Sequence, residues 1–190
     1  MSDGDNNPAA IPVSVADVQG DSRWMSQHNR FVADTKDKEP DVLFVGDSLI
    51  QLLHQFEVIV LWVGTNNHEH TAEQVAGGIE AIVHLLNQQQ PQAKVIVLGL
   101  LPRGKDPNPL RVKNALVNKL VRNTLEIRSN TSFLDVDPGF VNSDGTISQN
   151  DMYDYLHLTR HAYTSVCNLI HGRVQQLLSE AVCDDLNSGL

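Results

Sequence analysis

Four short runs of aliphatic and β-branched residues limit what this chain can become: DVLFV (41–45), VIVLWV (58–63), VIVLGLL (95–101) and the weaker FLDV (133–136). Near-continuous apolar runs of this length suit strands buried on both faces, the habit of parallel sheets covered by helices. Helical periodicity fills the intervals. Trp24, Met25, His28, Phe31 and Val32 predict a first helix from about Asp21 to Thr35. Thr71 and Gln74 have the spacing of a capping box, and Val75, Ile79, Ile82, Val83 and Leu86 then share one helical face. Leu110, Val117, Leu120, Val121 and Leu125 mark another helix. Ala162, Val166, Leu169, Ile170, Val174, Leu177 and Leu178 mark a last one, capped by Thr159. The order α-β-α-β-α-β-α-β-loop-α predicts an α/β fold, a three-layer α/β/α sandwich on a parallel sheet. Ligands in such sheets sit at the carboxyl ends of the strands.

The spacing of the strands is uneven. About 31 residues separate the second run from the third, and the third from the fourth, but only twelve, Gly46 to Glu57, separate the first from the second. A parallel crossover takes a dozen residues or more, and a full strand–helix–strand unit about thirty or more. The first unit is therefore read as short by one strand and one helix. Two consequences are expected. In a doubly wound order the missing strand lies beyond the first, so sending the connecting helix straight to VIVLWV on the opposite side makes the crossover left-handed unless the helix changes face, and left-handed crossovers are very rare. The first strand also becomes an apolar edge, open to pairing with another chain.

With 190 residues and 41% hydrophobic content, one sizeable core is expected. It comprises an arm over 1–20, a domain over 21–181 that is internally shortened between 57 and 58, and a tail over 182–190. No run of 18 apolar residues occurs, and MSDGDNNPAAIP lacks the basic-then-apolar pattern of a signal peptide, so a cytoplasmic, non-membrane protein is expected. Cys167 and Cys183 have neither the number nor the spacing of a disulfide framework or zinc site. A formal charge of −9 argues against nucleic acid as a partner. Seven basic residues nevertheless crowd 103–128: Arg103, Lys105, Arg111, Lys113, Lys119, Arg122 and Arg128. They read as the solvated face of a helix or as attraction for an anionic head group.

Three elements carry possible chemistry. In Gly46-Asp47-Ser48 the glycine permits a sharp turn off the first strand. Ser48 then opens a helix whose free N–H groups favour a developing oxyanion, so it is a candidate nucleophile or a plain N-cap. In Gly64-Thr65-Asn66-Asn67 an asparagine at a strand terminus can donate its amide to an oxyanion, or serve only the turn. Asp154-Tyr155-Leu156-His157 puts a carboxylate one turn from an imidazole, as a base and its orienting partner or as a surface pair. In order, and at one edge of one sheet, the three make a serine-hydrolase constellation. No G-x-S-x-G elbow is present, which disfavours the α/β-hydrolase branch.

That order resembles the GDSL-type, or SGNH, hydrolases of flavodoxin-like fold, and GDSL itself stands at 46–49. RWMSQHNRFV, KEPDVLFVGDS, WVGTNNHE, TAEQVAGGIEAIV, VIVLGLLPRG, PNPLR and YLHLT are together similar to the catalytic subunits of intracellular platelet-activating-factor acetylhydrolase, type Ib, from about residue 5 to about 180. The resemblance implies Ser48 as nucleophile, His157 as general base and acid, Asp154 as its partner and Asn66 as oxyanion donor. Leu49, Thr65 and Leu156 would line an acetyl-sized pocket. It implies removal of the sn-2 acetyl group from platelet-activating factor and related ether phospholipids without metal or other cofactor. It also implies a homodimer, or a heterodimer with a paralogous subunit, bound to a WD-repeat regulatory subunit. In relatives about forty residues, one strand–loop–helix unit, stand between the helix after GDS and the GTNN strand, and a glycine there donates to the oxyanion. Here His54-Gln55-Phe56-Glu57 runs straight into VIVLWV, and Gly77 and Gly78 fall on the next helix. The alternative expectation is a feeble or inactive isoform acting only through its dimer or WD-repeat contacts.

The remaining features read blandly. His68-Glu69-His70 has no third ligand nearby in sequence, Trp24 and Phe31 suit a core, and PRGKDPNPLR (102–111) either borders the substrate or is a rigid proline-rich connection.

Overall fold

A computed structural model of the protein describes residues 7, 26, 30, 42–46, 58–125 and 130–188, with the backbone alone for 42–46 and 181–188. In chain order the elements are β1 (Val42–Gly46), β2 (Val58–Trp62), α1 (Ala72–Gln89), β3 (Lys94–Leu98), α2 (Pro109–Leu125), β4 (Thr131–Leu134) and α3 (Arg160–Ser188). Of the expected first helix, Ser26 and Arg30 are helical, while Trp24 and Phe31 lie outside the described residues. So does the connection from β1 to β2, whose handedness was in question. Helix α3 runs to Ser188, past the boundary expected at 181.

The strands form one parallel sheet in the order β1-β2-β3-β4. Among the described residues β1 has a neighbour on one side only, the edge position the short spacing predicted. All five residues of β2 are buried, and they alternate between two cores. Val58, Val60 and Trp62 pack with Ile96, Leu98, the 136–158 loop and α3. Ile59 and Leu61 pack with Val95, Val97, α1 and α2. Because successive strand side chains point to opposite faces, one apolar run serves both layers, and the expected three-layer sandwich results.

Local chemistry sets the ends of the elements. Thr71 caps α1 in the capping box with Gln74. Asn108 accepts from the Leu110 and Arg111 N–H groups, and Pro109 opens α2 where its missing N–H costs no helical bond. The third strand ends at Leu98, not at Leu101 as its apolar run suggested. Beyond it, Leu100 exchanges both backbone bonds with the Asn118 side chain, and Leu101 O accepts from buried Asn114, so these peptides bond to α2 in place of the sheet. The fourth strand lies two residues earlier than FLDV, at Thr131–Leu134, and Val136 is buried in the loop that follows. On α3 Ala162, Val166, Ile170 and Leu177 are buried while Leu169, expected on the same face, is exposed at the rim of that stripe, about 80° around the helix from Leu177.

The long connection from β4 to α3 is tied by two antiparallel bridges, Val141 with Ile147 and Met152 with Leu158, and it buries Phe140, Ile147, Met152 and Leu158. Those anchors hold the Asp154–His157 segment against the sheet.

Candidate active site

Parallel pairing matches Gly46 with Trp62, so the last described residue of β1 lies about one strand spacing, ~4.8 Å, from the end of β2. Ser48 and Leu49 themselves lie outside the described residues. The carboxyl end of β2 continues into the second loop. Gly64 has φ +120°, a conformation that favours glycine. Its carbonyl accepts from Asn67 N at 3.2 Å, and Asn66 O accepts from His68 N at 2.9 Å. Asn66 is exposed on this turn, and Thr65 is half-buried.

Two basic side chains hold the turn from outside. Lys113 Nζ donates to Asn67 O at 2.6 Å and to His68 O and His70 O at 3.2 Å each. Arg103 donates through one guanidinium nitrogen to Thr65 O at 2.6 Å. A third, Arg111, fastens the 102–111 loop: it donates to Arg103 O at 3.0 Å, Gly145 O at 2.6 Å and Lys105 O at 2.8 Å, and also to Gly104 O. Arg122 pairs with Asp135 at 3.2 Å and lies over the Phe133 ring. Four of the seven clustered basic residues therefore serve internal bonding. The sequence reading missed this, although it held a signal: Arg111 and Lys113 stand near the N-terminus of a helix, where cations are disfavoured unless bonded elsewhere.

The third element assembles as the Asp-His spacing predicted. Asp154 Oδ2 lies 2.7 Å from His157 Nδ1, while Oδ1 accepts from His157 N at 2.7 Å and Leu156 N at 3.1 Å. Tyr155 between them has φ +62°, uncommon for a bulky side chain. Its N–H donates to Met152 O at 3.0 Å and its carbonyl accepts from Gly104 N at 2.7 Å, so the unusual conformation is fixed from both sides. Tyr153 stacks on the His157 ring, 5.8 Å between centroids. Burial pushes the Asp154 carboxyl up, but the hydrogen bonds from the His157 ring, from His157 N–H and Leu156 N–H, and the His157 charge outweigh it and hold the group below the usual range. With Nδ1 committed to Asp154, Nε2 is the nitrogen left to exchange a proton.

The 102–111 loop walls an open hollow of about 600 Å³ together with Asp154 and Tyr155. Among the described residues no group of three His, Cys, Asp or Glu side chains is placed to hold a metal ion, and His70 Nδ1 lies 3.3 Å from Asn67 Nδ2 within the turn. No helix among them is long and apolar enough to cross a membrane.

The GDSL-like lipase/acylhydrolase family model matches residues 5–164. Platelet-activating factor acetylhydrolase IB subunit alpha2 of Gallus gallus is 56% identical to this chain, over 95% of it and 96% of that protein. The Homo sapiens subunit alpha2 is 54% identical over the same shares, and the Bos taurus subunit alpha1 54% over 93% of each. The alpha2 alignments span 219 positions, whereas 95% of 190 residues is about 180, so about 39 positions stand against gaps in this chain. A solved structure from Streptococcus pneumonia superposes with a TM-score of 0.68 at 16% identity, covering 80% of this chain and 92% of that one. Another from Bacteroides fragilis gives 0.66 at 18%, covering 88% and 100%, and at such identities the likeness speaks for the fold. With the family model over most of its length and relatives above half identical across nearly all of both sequences, the chain belongs to the GDSL-like lipase/acylhydrolase family, as a serine ester hydrolase of the platelet-activating factor acetylhydrolase IB alpha-subunit group that lacks about 39 internal positions.

Proposed function

We propose that the protein removes the sn-2 acetyl group of platelet-activating factor and related ether phospholipids, giving lyso-lipid and acetate. The observation that carries this reading is the 2.7 Å contact between Asp154 and His157 Nδ1 on a turn fixed beside the sheet's carboxyl edge. Ser48 Oγ attacks the acetyl carbonyl carbon and His157 Nε2 accepts its proton. Asn66 donates to the oxyanion, and collapse of the tetrahedral intermediate expels the lyso-lipid alkoxide, protonated by His157. Water activated by His157 then attacks the acetyl-enzyme and releases acetate. Leu49, Thr65 and Leu156 line the acetyl pocket. No cofactor takes part. The chain works in the cytoplasm as a homodimer, or paired with a paralogous subunit, and carries a WD-repeat regulatory subunit. Size-exclusion chromatography with light scattering tests the dimer, and a monomer at micromolar concentration would end that part.

The aligned gap of about 39 positions favours a second reading, a chain of the same ancestry with little turnover. Loss of one oxyanion donor costs about 10²–10³ in rate. A fluorophosphonate probe on folded protein separates the readings. The esterase labels, and Ser48→Ala abolishes labelling; a folded sample that takes no label leaves the second reading.

A further inference from the structure

The motifs assign no role to the loop after β3, yet it is the only described segment that bonds to both candidate catalytic turns. Arg103 donates from its side chain to Thr65 O at 2.6 Å, with Thr65 Oγ1 at 3.4 Å from the same nitrogen. The next residue, Gly104, donates its backbone N–H to Tyr155 O at 2.7 Å. Two consecutive residues thus reach the peptide before Asn66 and the strained residue between Asp154 and His157. The dipeptide is itself held: Arg103 O accepts from Asn108 Nδ2 at 2.7 Å and from Arg111 Nε at 3.0 Å. Gly104 sits at φ +81°, a conformation that favours glycine.

We infer that Arg103-Gly104 is a strut that sets the separation between the Asn66 turn and the Asp154–His157 turn, with Arg103 a positioning residue for the oxyanion donor. The reason is geometric. Asn66 is exposed, and the carbonyls of Thr65, Asn66 and Asn67 are taken by Arg103, His68 N–H and Lys113. Only Arg103 among those three also ties the turn to the histidine side of the site. An oxyanion donor contributes in proportion to how well it is held before the charge develops, and a displacement of about 1 Å costs about 10²-fold. Arg103 acts on the transition state through Asn66, so its loss lowers kcat and spares substrate binding.

This inference rests on the proposed site roles, and the test separates the two. Arg103→Ala is expected to lower kcat on an acetyl ester about 10²-fold with KM within about twofold of the parent, and Arg103→Lys to recover much of the loss, since an ammonium still reaches Thr65 O. An unchanged kcat, or a loss that Arg103→Lys does not relieve, overturns the strut while leaving the esterase standing. Hydrogen exchange needs no activity: Arg103→Ala should speed exchange at the Asn67 and His68 amides about tenfold while the Tyr155 amide, bonded to Met152 O, keeps its protection. Equal exchange in parent and variant also overturns it. If Arg103→Ala does not fold, Arg103→Lys and Arg103→Gln carry both measurements. Absence of Ser48-dependent labelling in the parent counts against the esterase, and the exchange result still decides the strut.

Discussion

The two candidate turns are secured by opposite means. The Gly64–Asn67 turn offers carbonyls, and they are collected by side-chain cations from distant helix and loop positions, Lys113 and Arg103. The Asp154–His157 turn is gathered from within, by one carboxylate that accepts from two N–H groups and the imidazole. The first depends wholly on tertiary structure being formed, whereas the second makes its carboxylate bonds within four residues and takes from elsewhere its anchoring by Met152, Leu158 and the Gly104 N–H. In this chain the neutral amide of Asn66 rides on a turn placed by remote residues, whereas the His157 imidazole takes its carboxylate partner from three residues away.

Breaking the local arrangement should have the largest effect. Asp154→Asn keeps an oxygen for the Leu156 and His157 N–H groups but cannot stabilise the imidazolium or hold its tautomer. Esterase kcat is expected to fall roughly 10³–10⁴-fold with little change in Tm, as steady-state kinetics and thermal melts would show. A fall accompanied by unfolding would mean the carboxylate serves the turn and not the base. Next comes removal of a remote cation. Arg111→Ala removes a charged donor from the carbonyls of residues 103, 104, 105 and 145, of which Arg103 O keeps Asn108 Nδ2 and Lys105 O keeps the Ile147 N–H, and should lower stability by about 1–3 kcal/mol in urea unfolding, with Lys113→Met about 1–3 kcal/mol. Tms equal to the parent's would show that the cations are ornaments of an already stable loop.

Acid should separate the turns more gently. Asp154 is held below its ordinary value, so its contribution is fully present above the unfolded pKa of about 3.9 and is lost as pH falls through the lower folded value. Amide exchange at Leu156 and His157 should rise in that window, while the cation-held turn keeps its bonds; simultaneous loosening of both turns would contradict the contrast. The smallest effect belongs to Val112, which is 71% exposed on the same helix as Arg111 and Lys113. Val112→Lys should change stability by no more than about 0.5 kcal/mol by the same unfolding assay. A larger loss would reveal a covering partner.

Much of the fold was legible because it follows local rules. The capping box of Thr71 and Gln74 and the i, i+4 stripe of α1 appear in the structure as the sequence implies, and each of the four apolar runs holds a strand, although β3 stops short of its run and β4 lies two residues earlier than FLDV. The strand ends were misjudged where a side chain from another element took over the backbone. Nothing in VIVLGLL says that Leu100 will bond to Asn118 eighteen residues on. Of the site, the Asp154–His157 pair was readable from its spacing, whereas Arg103 and Lys113 looked like members of a surface charge cluster. Their carbonyl partners lie 38 and 46 residues away, beyond the reach of any periodicity.

The amino-acid order by itself therefore determined the α/β architecture, the places where turns interrupt it, and the Asp-His dyad, because hydrophobic period and short-range hydrogen bonding act within a few residues. It also revealed the short first crossing, and the roughly 39 positions of relatives that align to gaps in this chain agree with that reading. Tertiary structure alone decided which cation holds which carbonyl, where β3 ends, and that one dipeptide spans both turns. Those bonds close loops tens of residues long, and they form only after the sheet has brought its carboxyl ends together.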